Sequence, residues 1–172
     1  MEGIVNFFIN LFSGITGSTF GKEIVVFIIS MMPILELRGG LLAAALLKVN
    51  PVTGYIVSII GNIIPVPFIL LFVNKILDWM EKSNTKWINK LGNKIRNKAD
   101  KNKGKIEKYG YVGLLLFVGI PLPGTGAWTG CLVASLLHLD RKKSFIYTLL
   151  GIVMASIIMM ILSYGIVGNL ID

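Results

Sequence analysis

The sequence predicts an all-α integral membrane protein, built as an inverted repeat of a re-entrant helical hairpin plus a transmembrane helix, with amphipathic surface helices. Three observations predict this fold. Apolar residues make up 54% of the 172 residues and charged residues only 15%, which is far more apolar than a soluble domain. Several apolar segments are shorter than the about 20 helical residues that cross a bilayer. Two segments 90 residues apart also resemble each other.

The N-terminal segment has the spacing of an amphipathic helix. Apolar residues recur at positions 4, 5, 7, 8, 11, 12 and 15, while Asn6 and Asn10 fall on the opposite face. The two asparagines and the polar stretch 14–18 favour a helix in the headgroup plane over a lipid-facing span. We therefore expect residues 4–20 to lie on the membrane rather than to cross it.

An acid and a base interrupt the next apolar region. The runs Ile24–Met32 and Leu41–Leu47 flank Pro33–Gly40, which contains Glu36 and Arg38. Neither run can span the bilayer alone, so the region from about 24 to 47 is predicted to enter the membrane, turn and leave by the same face. Irregular backbone at membrane depth is tolerated only where protein or a water-filled cavity covers it. The turn should therefore line a site in which both charged residues are functional.

A spanning helix and a basic segment follow this hairpin. Residues 52–73 are apolar and long enough to cross, and Pro65 and Pro67 predict either a packing kink or a cavity wall. Residues 75–108 hold eleven Lys and Arg against four Asp and Glu. This excess predicts a cytoplasmic linker that attracts anionic lipid headgroups rather than nucleic acid. Apolar residues that recur near helical spacing among the lysines, such as Trp87 and Leu91, predict that the linker is amphipathic.

The second half repeats the pattern of short apolar runs around a break. Tyr109–Ile120 and Ala127–Leu139 flank the Pro- and Gly-rich stretch 121–126, which predicts a second hairpin from about 109 to 139. A basic stretch, Arg141–Lys143, follows it. Residues 145–170 are apolar and long enough for a second transmembrane helix.

The two halves are related by an internal repeat. A shift of 90 residues aligns Gly40–Gly61 with Gly130–Gly151 without a gap, and seven of the 22 positions are identical. We expect a single membrane domain over 1–172, with a first repeat at 1–74 and a second at 109–172. If the basic linker is cytoplasmic, the hairpins enter from opposite sides and their tips meet near the midplane. Inverted-repeat transporters bind substrate at that depth.

The hairpin tips carry groups that attract anions. Glycines at both turns should leave backbone N–H groups exposed where a short helix begins, around 39–40 and 124–126. With Arg38 added, a phosphate or carboxylate is the natural ligand. Glu36 is either the ion-pair partner of Arg38 or a protonatable carboxylate that couples proton movement to substrate release, and both interpretations stay open.

Trp128 and Thr129 follow the second turn, where an indole could wall a cavity or pack in the core and a hydroxyl could donate to a ligand. No hydrolase, metal-ligand or phosphate-binding loop motif is present, so we expect no enzymatic activity, catalytic residue, metal or cofactor. His138 is interpreted as an interfacial residue and Cys131 as a small packing residue. The predicted substrate-binding set is Glu36, Arg38, Gly39, Gly40, Pro121, Pro123, Gly124, Thr125, Gly126, Trp128 and Thr129, with Glu36 also the proton-coupling residue.

The chain resembles the prokaryotic family of small multidrug export proteins, which is itself similar to the DedA (VTT, SNARE-associated) superfamily. Two runs carry the resemblance, PILELRGG at Pro33–Gly40 and PLPGTGAWTG at Pro121–Gly130. The resemblance covers nearly the whole chain. The second run has no charged residue, whereas bacterial DedA members commonly carry arginine there.

This resemblance implies two opposed re-entrant hairpins with spanning helices, in a homodimeric, multi-pass protein of the cell inner membrane. It implies a lipid flippase that moves an anionic lipid, such as undecaprenyl phosphate or another polyprenyl phosphate, with Glu36 as the acid and Arg38 as the base. A proton-coupled exporter of small, cationic compounds is the alternative, with Glu36 as the charge partner. A membrane assembly protein without transport activity is a third hypothesis.

Overall fold

The computed structural model describes residues 2–122 and 124–171. It describes the side chains of these residues except at positions 98–100, 102–103, 105, 107 and 166–171. This part of the chain is helical and contains no strand, as the sequence predicts. Its helices are α1 Glu2–Leu11, α2 Thr19–Met31, α3 Glu36–Leu46, α4 Pro51–Ile63, α5 Pro65–Glu81, α6 Lys86–Glu107, α7 Gly110–Gly119, α8 Ala127–Leu136 and α9 Arg141–Ile171.

The first helix pair consists of α2 and α3, which pack against each other around a tight turn. α2 begins five residues before the predicted Ile24, because the Ser18 hydroxyl caps it by accepting from the N–H of Gly21 at 3.0 Å. Pro33 disfavours a helical Met32, which is extended, and α2 therefore ends there. α3 already begins at Glu36, so the prediction that the turn continues to Gly40 is wrong.

α4 and α5 together form a long apolar helix with a break at Ile64. Pro65 has no N–H to continue the α4 ladder, so the helix restarts at that residue. The combined helix Pro51–Glu81 has 31 residues and is long and apolar enough to cross a membrane. This helix contains the predicted span 52–73 and continues beyond it for two more turns, to Glu81.

The predicted amphipathic linker contains α6, and its first residues, 75–81, belong to α5 instead. Arg96 fixes α6 against the end of α5, since its guanidinium donates to Asp78 Oδ1 at 2.8 Å and to Glu81 Oε1. The Asn89 side-chain amide also donates to the Glu81 carbonyl oxygen. The linker is thus anchored on α5 rather than loosely attached, while its position at a membrane surface stays a prediction.

The two halves share local geometry at positions 90 residues apart. Lys48 and His138, which follow α3 and α8, both have φ of +53°. The next N–H in each half returns to the carbonyl of Ala44 or Ala134, at 2.9 and 3.0 Å. This pattern is a Schellman helix end with a non-glycine residue in the left-handed position. His138 therefore has a local structural role at a helix terminus.

The aligned glycines also make matching contacts. A Cβ added at Gly61 would lie 2.8 Å from the Phe27 carbonyl oxygen, and one at Gly151 would lie 2.9 Å from that of Leu115. Glycine at each position lets a long helix approach the first helix of its own short pair. These matches support the predicted repeat, whereas the inversion of one half relative to the other stays a prediction.

The long helices expose large apolar side chains to the outside. Phe68 on α5 is 61% exposed, and Ile146 and Ile161 on α9 are 54% and 68% exposed. Within α9, Arg141–Gly165 is also long and apolar enough to cross a membrane. Exposed apolar surface on this scale is unfavourable in water, and it is the surface expected of a helix that contacts lipid.

Candidate functional site

Glu36 links the start of α3 to the start of α8. Its side-chain oxygens accept hydrogen bonds from the backbone N–H groups of Ala127, at 3.1 Å, and Trp128, at 3.0 Å. The residue is only 5% exposed. Its carboxylate thus occupies the N-terminus of α8, where unpaired N–H groups and the helix dipole attract negative charge.

Glu36 reaches α8 from a strained backbone conformation. Its φ is +52°, a left-handed conformation that costs a residue with a side chain about 1–2 kcal/mol. Residues held in such conformations persist only where surrounding contacts compensate, and they cluster at functional sites. Here, the compensating contacts are the two bonds to α8.

Arg38 binds the turn between α7 and α8. One guanidinium nitrogen donates to the Leu122 carbonyl oxygen at 2.7 Å, and the other donates to the Thr125 hydroxyl at 3.0 Å and the Ile120 carbonyl oxygen at 3.4 Å. Arg38 is 7% exposed. Since a guanidinium carries several donors in a fixed plane, it can bridge acceptors that a single ammonium could not.

Thr125 organises the acceptors that Arg38 contacts. Its hydroxyl lies 2.9 Å from the Ile120 carbonyl oxygen and 2.8 Å from that of Leu122, and it accepts from the N–H of Leu122 at 3.2 Å. The turn is therefore folded around one hydroxyl group. Arg38 then adds a positive charge to this network from the other helix pair.

Trp128 adds a third link between the helix pairs. Its indole N–H donates to the Met31 carbonyl oxygen at 3.2 Å, at the end of α2. Gly126 makes room for the Glu36 carboxylate, because its φ is +137° and an added Cβ would lie 2.7 Å from Glu36 Cδ. We call Glu36, Arg38, Thr125, Gly126 and Trp128 the clasp.

The clasp explains why an acid and a base lie together without pairing. Among the described residues, Glu36 and Arg38 form no ion pair with each other. Each charge instead finds its partners on the opposite helix pair, which is about 90 residues away in sequence. The hypothesis that Glu36 is the ion-pair partner of Arg38 is therefore wrong in this conformation.

The two glycines of the first run have a packing role. Gly39 and Gly40 lie inside α3, and the Gly39 N–H donates to the Leu35 carbonyl oxygen at 2.8 Å. The prediction that it is exposed at a turn is therefore wrong. At Gly40, an added Cβ would lie 3.0 Å from Ser30 Cβ and from Ser58 Oγ, so this glycine permits close packing of α2, α3 and α4.

The other described residues of the predicted set lie on the same turn or helix as residues of the clasp. Gly124 is exposed, and a Cβ at this position would have open space around it, while Pro121 is half-buried. Pro123 lies outside the described residues. Thr129 is half-buried and faces an apolar groove. No group of three or more His, Cys, Asp and Glu that could hold a metal occurs in the described part of the chain.

The apolar groove itself was not predicted. It has a volume of about 650 Å³ and runs beside α5, between Pro33 and Trp128 on the clasp side and Ile95 on α6. The sequence signal for it is Pro65, which predicts either a packing kink or a cavity wall. The structure gives Pro65 both roles, because it starts α5 and lines the groove. We call this cavity the α5 groove.

Comparison with known proteins identifies a family. Residues 36–158, more than half of the chain, match the family described as "Putative small multi-drug export protein". No curated protein and no solved structure matches the chain. The matched range contains the whole clasp and α4 to α8. With the two long apolar helices, the match indicates a membrane protein of the transporter kind, and the chain belongs to the small multi-drug export protein family.

Proposed function

We propose that this protein is a flippase that carries an anionic lipid, such as a polyprenyl phosphate, across the cell inner membrane. The observation that carries the proposal is the clasp, in which a buried acid and base join the tips of two short helix pairs. Transporters commonly bind substrate where two such structural repeats meet.

The helix lengths support re-entrant pairs. At 1.5 Å per residue, the 13 residues of α2 and the 11 of α3 reach about 20 and 16 Å, which is short of the about 30 Å of hydrocarbon. α7 and α8 are shorter still, at 10 residues each. In the proposed topology, α6 is cytoplasmic, the first pair enters from outside and the second from the cytoplasm.

The clasp suggests how a lipid headgroup would be handled. A phosphate bound at the N-terminus of α8 needs the N–H groups of Ala127 and Trp128, which Glu36 occupies in this conformation. The substrate anion and Glu36 would therefore compete for the same donors. Arg38, already beside this terminus, would supply positive charge to the arriving phosphate.

Competition of this kind provides a route to proton coupling. A protonated Glu36 would have one donor and a weaker acceptor, so it would bind the two α8 N–H groups less strongly than a carboxylate does. Its release would open the donors to a phosphate. When the lipid leaves, deprotonated Glu36 would return to α8, so one proton would move for each exchange.

A proton-coupled exporter of small molecules is the second candidate. The family description favours it, and Glu36 provides a buried negative charge that a cationic compound could use once it leaves α8. In this case Glu36 would bind substrate directly, and Arg38 would serve only to hold the second turn.

Liposomes containing the purified protein separate these functions. Accelerated transbilayer movement of a labelled polyprenyl phosphate, lost in Arg38→Ala, would support the flippase. The matched control is Arg96→Ala, because Arg96 also binds two partners but lies on α6 outside the clasp. Proton-dependent dye movement lost in Glu36→Gln, with no lipid movement, would refute the flippase in favour of the exporter. No activity in either assay would refute both.

A further inference from the structure

The α5 groove begins beside the clasp. Gly61 packs on Phe27 and Ser30, which brings the end of α2 close to the end of α4, just before α5 begins. Trp128, whose indole N–H binds Met31, lines the groove as well as belonging to the clasp. The anion-attracting end of α8 and the mouth of the groove are therefore separated by a single side chain.

The groove ends at α6. Met80 and Ile95 line its far end, where a Cβ added at Gly92 would lie 2.9 Å from Met80 Cβ. Between Pro65 and Met80, α5 rises about 22 Å at 1.5 Å per residue. The α5 groove is thus long and narrow, with its two ends made by different structural elements.

The lining of the groove suits hydrocarbon. Among the described lining residues, Thr129 and Trp128 carry the only polar side-chain groups, both at the clasp end, and the Trp128 N–H is already bonded. Every other described lining side chain is apolar, including Phe68, Phe72 and Val73 along α5. Its volume of about 650 Å³ lies within the usual range of about 300–1,000 Å³ for ligand sites. The described lining residues offer no counter-charge to a charged compound.

We propose that the α5 groove binds the hydrocarbon chain of an anionic lipid whose headgroup reaches the clasp. This inference rests on the proposed function, because the headgroup site is the one described there. The inference adds that the protein holds the hydrocarbon chain of the lipid during binding, rather than leaving it in the bilayer. The polarity of the groove fixes the orientation of the lipid, with the phosphate at Trp128 and the chain directed toward Ile95.

Trp128 allows a direct test. In a Trp79→Phe, Trp87→Phe background it is the single tryptophan, and neither replaced residue lines the groove. The probe is a long-chain alkyl phosphate with bromine atoms near the phosphate end of the chain, added to purified protein in detergent. We expect saturable quenching of Trp128 fluorescence, reversed by farnesyl phosphate but not by inorganic phosphate.

Two variants show whether the chain lies in the groove. Val73→Phe narrows it and should weaken probe binding at least tenfold. Leu71→Phe adds the same ring at an exposed site on α5 that does not line the groove, and should leave binding unchanged. If both variants bind the probe equally, the chain lies in the detergent belt and the inference is refuted. Leu132→Phe, on the opposite wall, replaces Val73→Phe if that variant does not fold.

The results also separate this inference from the proposed function. Tight, groove-dependent binding without lipid movement in liposomes would keep the chain site and refute the flippase. Lipid movement that Val73→Phe leaves unchanged would keep the flippase and refute the chain site. If the uncharged brominated alcohol binds as tightly as the brominated alkyl phosphate, an anionic headgroup at the clasp is refuted. If added detergent alone displaces the probe, the groove binds detergent rather than a specific lipid, and the inference is refuted.

Discussion

Replacing Gly126 with alanine tests whether the clasp holds the two helix pairs together. The substitution introduces two penalties. The backbone at φ +137° and ψ −177° belongs to a region that is nearly restricted to glycine, which costs about 1–3 kcal/mol for alanine. The added Cβ would also lie 2.7 Å from Glu36 Cδ, and overpacking of this kind costs about 1–3 kcal/mol. We expect Gly126→Ala to lower the free energy of unfolding by about 3–5 kcal/mol.

Gly124→Ala is the matched control. Gly124 also has a positive φ, +81°, but an added Cβ would meet no atom within 4 Å. Its cost should be the backbone strain alone, about 1–2 kcal/mol. The difference between the two variants therefore contains the clash with the Glu36 carboxylate together with the difference between the two backbone costs.

A double-mutant cycle isolates the same contact. In a Glu36→Ala background the carboxylate is gone, so Gly126→Ala should keep only its backbone penalty, and its cost should fall by about 2 kcal/mol. The assay is the free energy of unfolding from SDS titration in mixed micelles, followed by far-UV circular dichroism. Equal costs at Gly124 and Gly126, or an unchanged cost at Gly126 without the carboxylate, would refute the clasp.

Three further predictions follow from the contacts described above. Arg38→Lys should destabilise the fold by about 1–3 kcal/mol in the same titration, because one ammonium cannot bind all the acceptors that the guanidinium bridges. An unchanged unfolding midpoint in that titration would contradict this prediction. Gly40→Ala should cost about 1–3 kcal/mol, since its Cβ would crowd α2 and α4, and full stability would show that these helices can separate. Lys48→Gly and His138→Gly should each stabilise the protein by about 0.5–1 kcal/mol, because both residues have φ of +53° and glycine removes the steric penalty. If one variant stabilised the protein and the other destabilised it, the shared geometry of the two halves would be contradicted.

The sequence by itself determined the class of the protein and most of its helices. Its apolar composition, the proline and glycine breaks and the 90-residue repeat predicted short helix pairs and long helices, because these features depend on local preference and length. The ends of two helices differ from the sequence prediction. α2 begins earlier because Ser18 caps it, and α5 continues past the predicted span to Glu81. Glu36 and Arg38 were singled out correctly as unusual, since charges in an apolar region need partners.

Only the tertiary structure decided what those partners are. The sequence left open whether Glu36 pairs with Arg38, its near neighbour, whereas the folded chain gives each of them acceptors or donors on α8 and the turn before it. Such pairings depend on how two helix pairs meet, and no local pattern encodes that geometry. The α5 groove likewise could not be predicted from the sequence, because a cavity is the space left between packed helices. Its walls come from α5, α6, α8 and the turn between α2 and α3, and their spacing is set by packing rather than by any one segment.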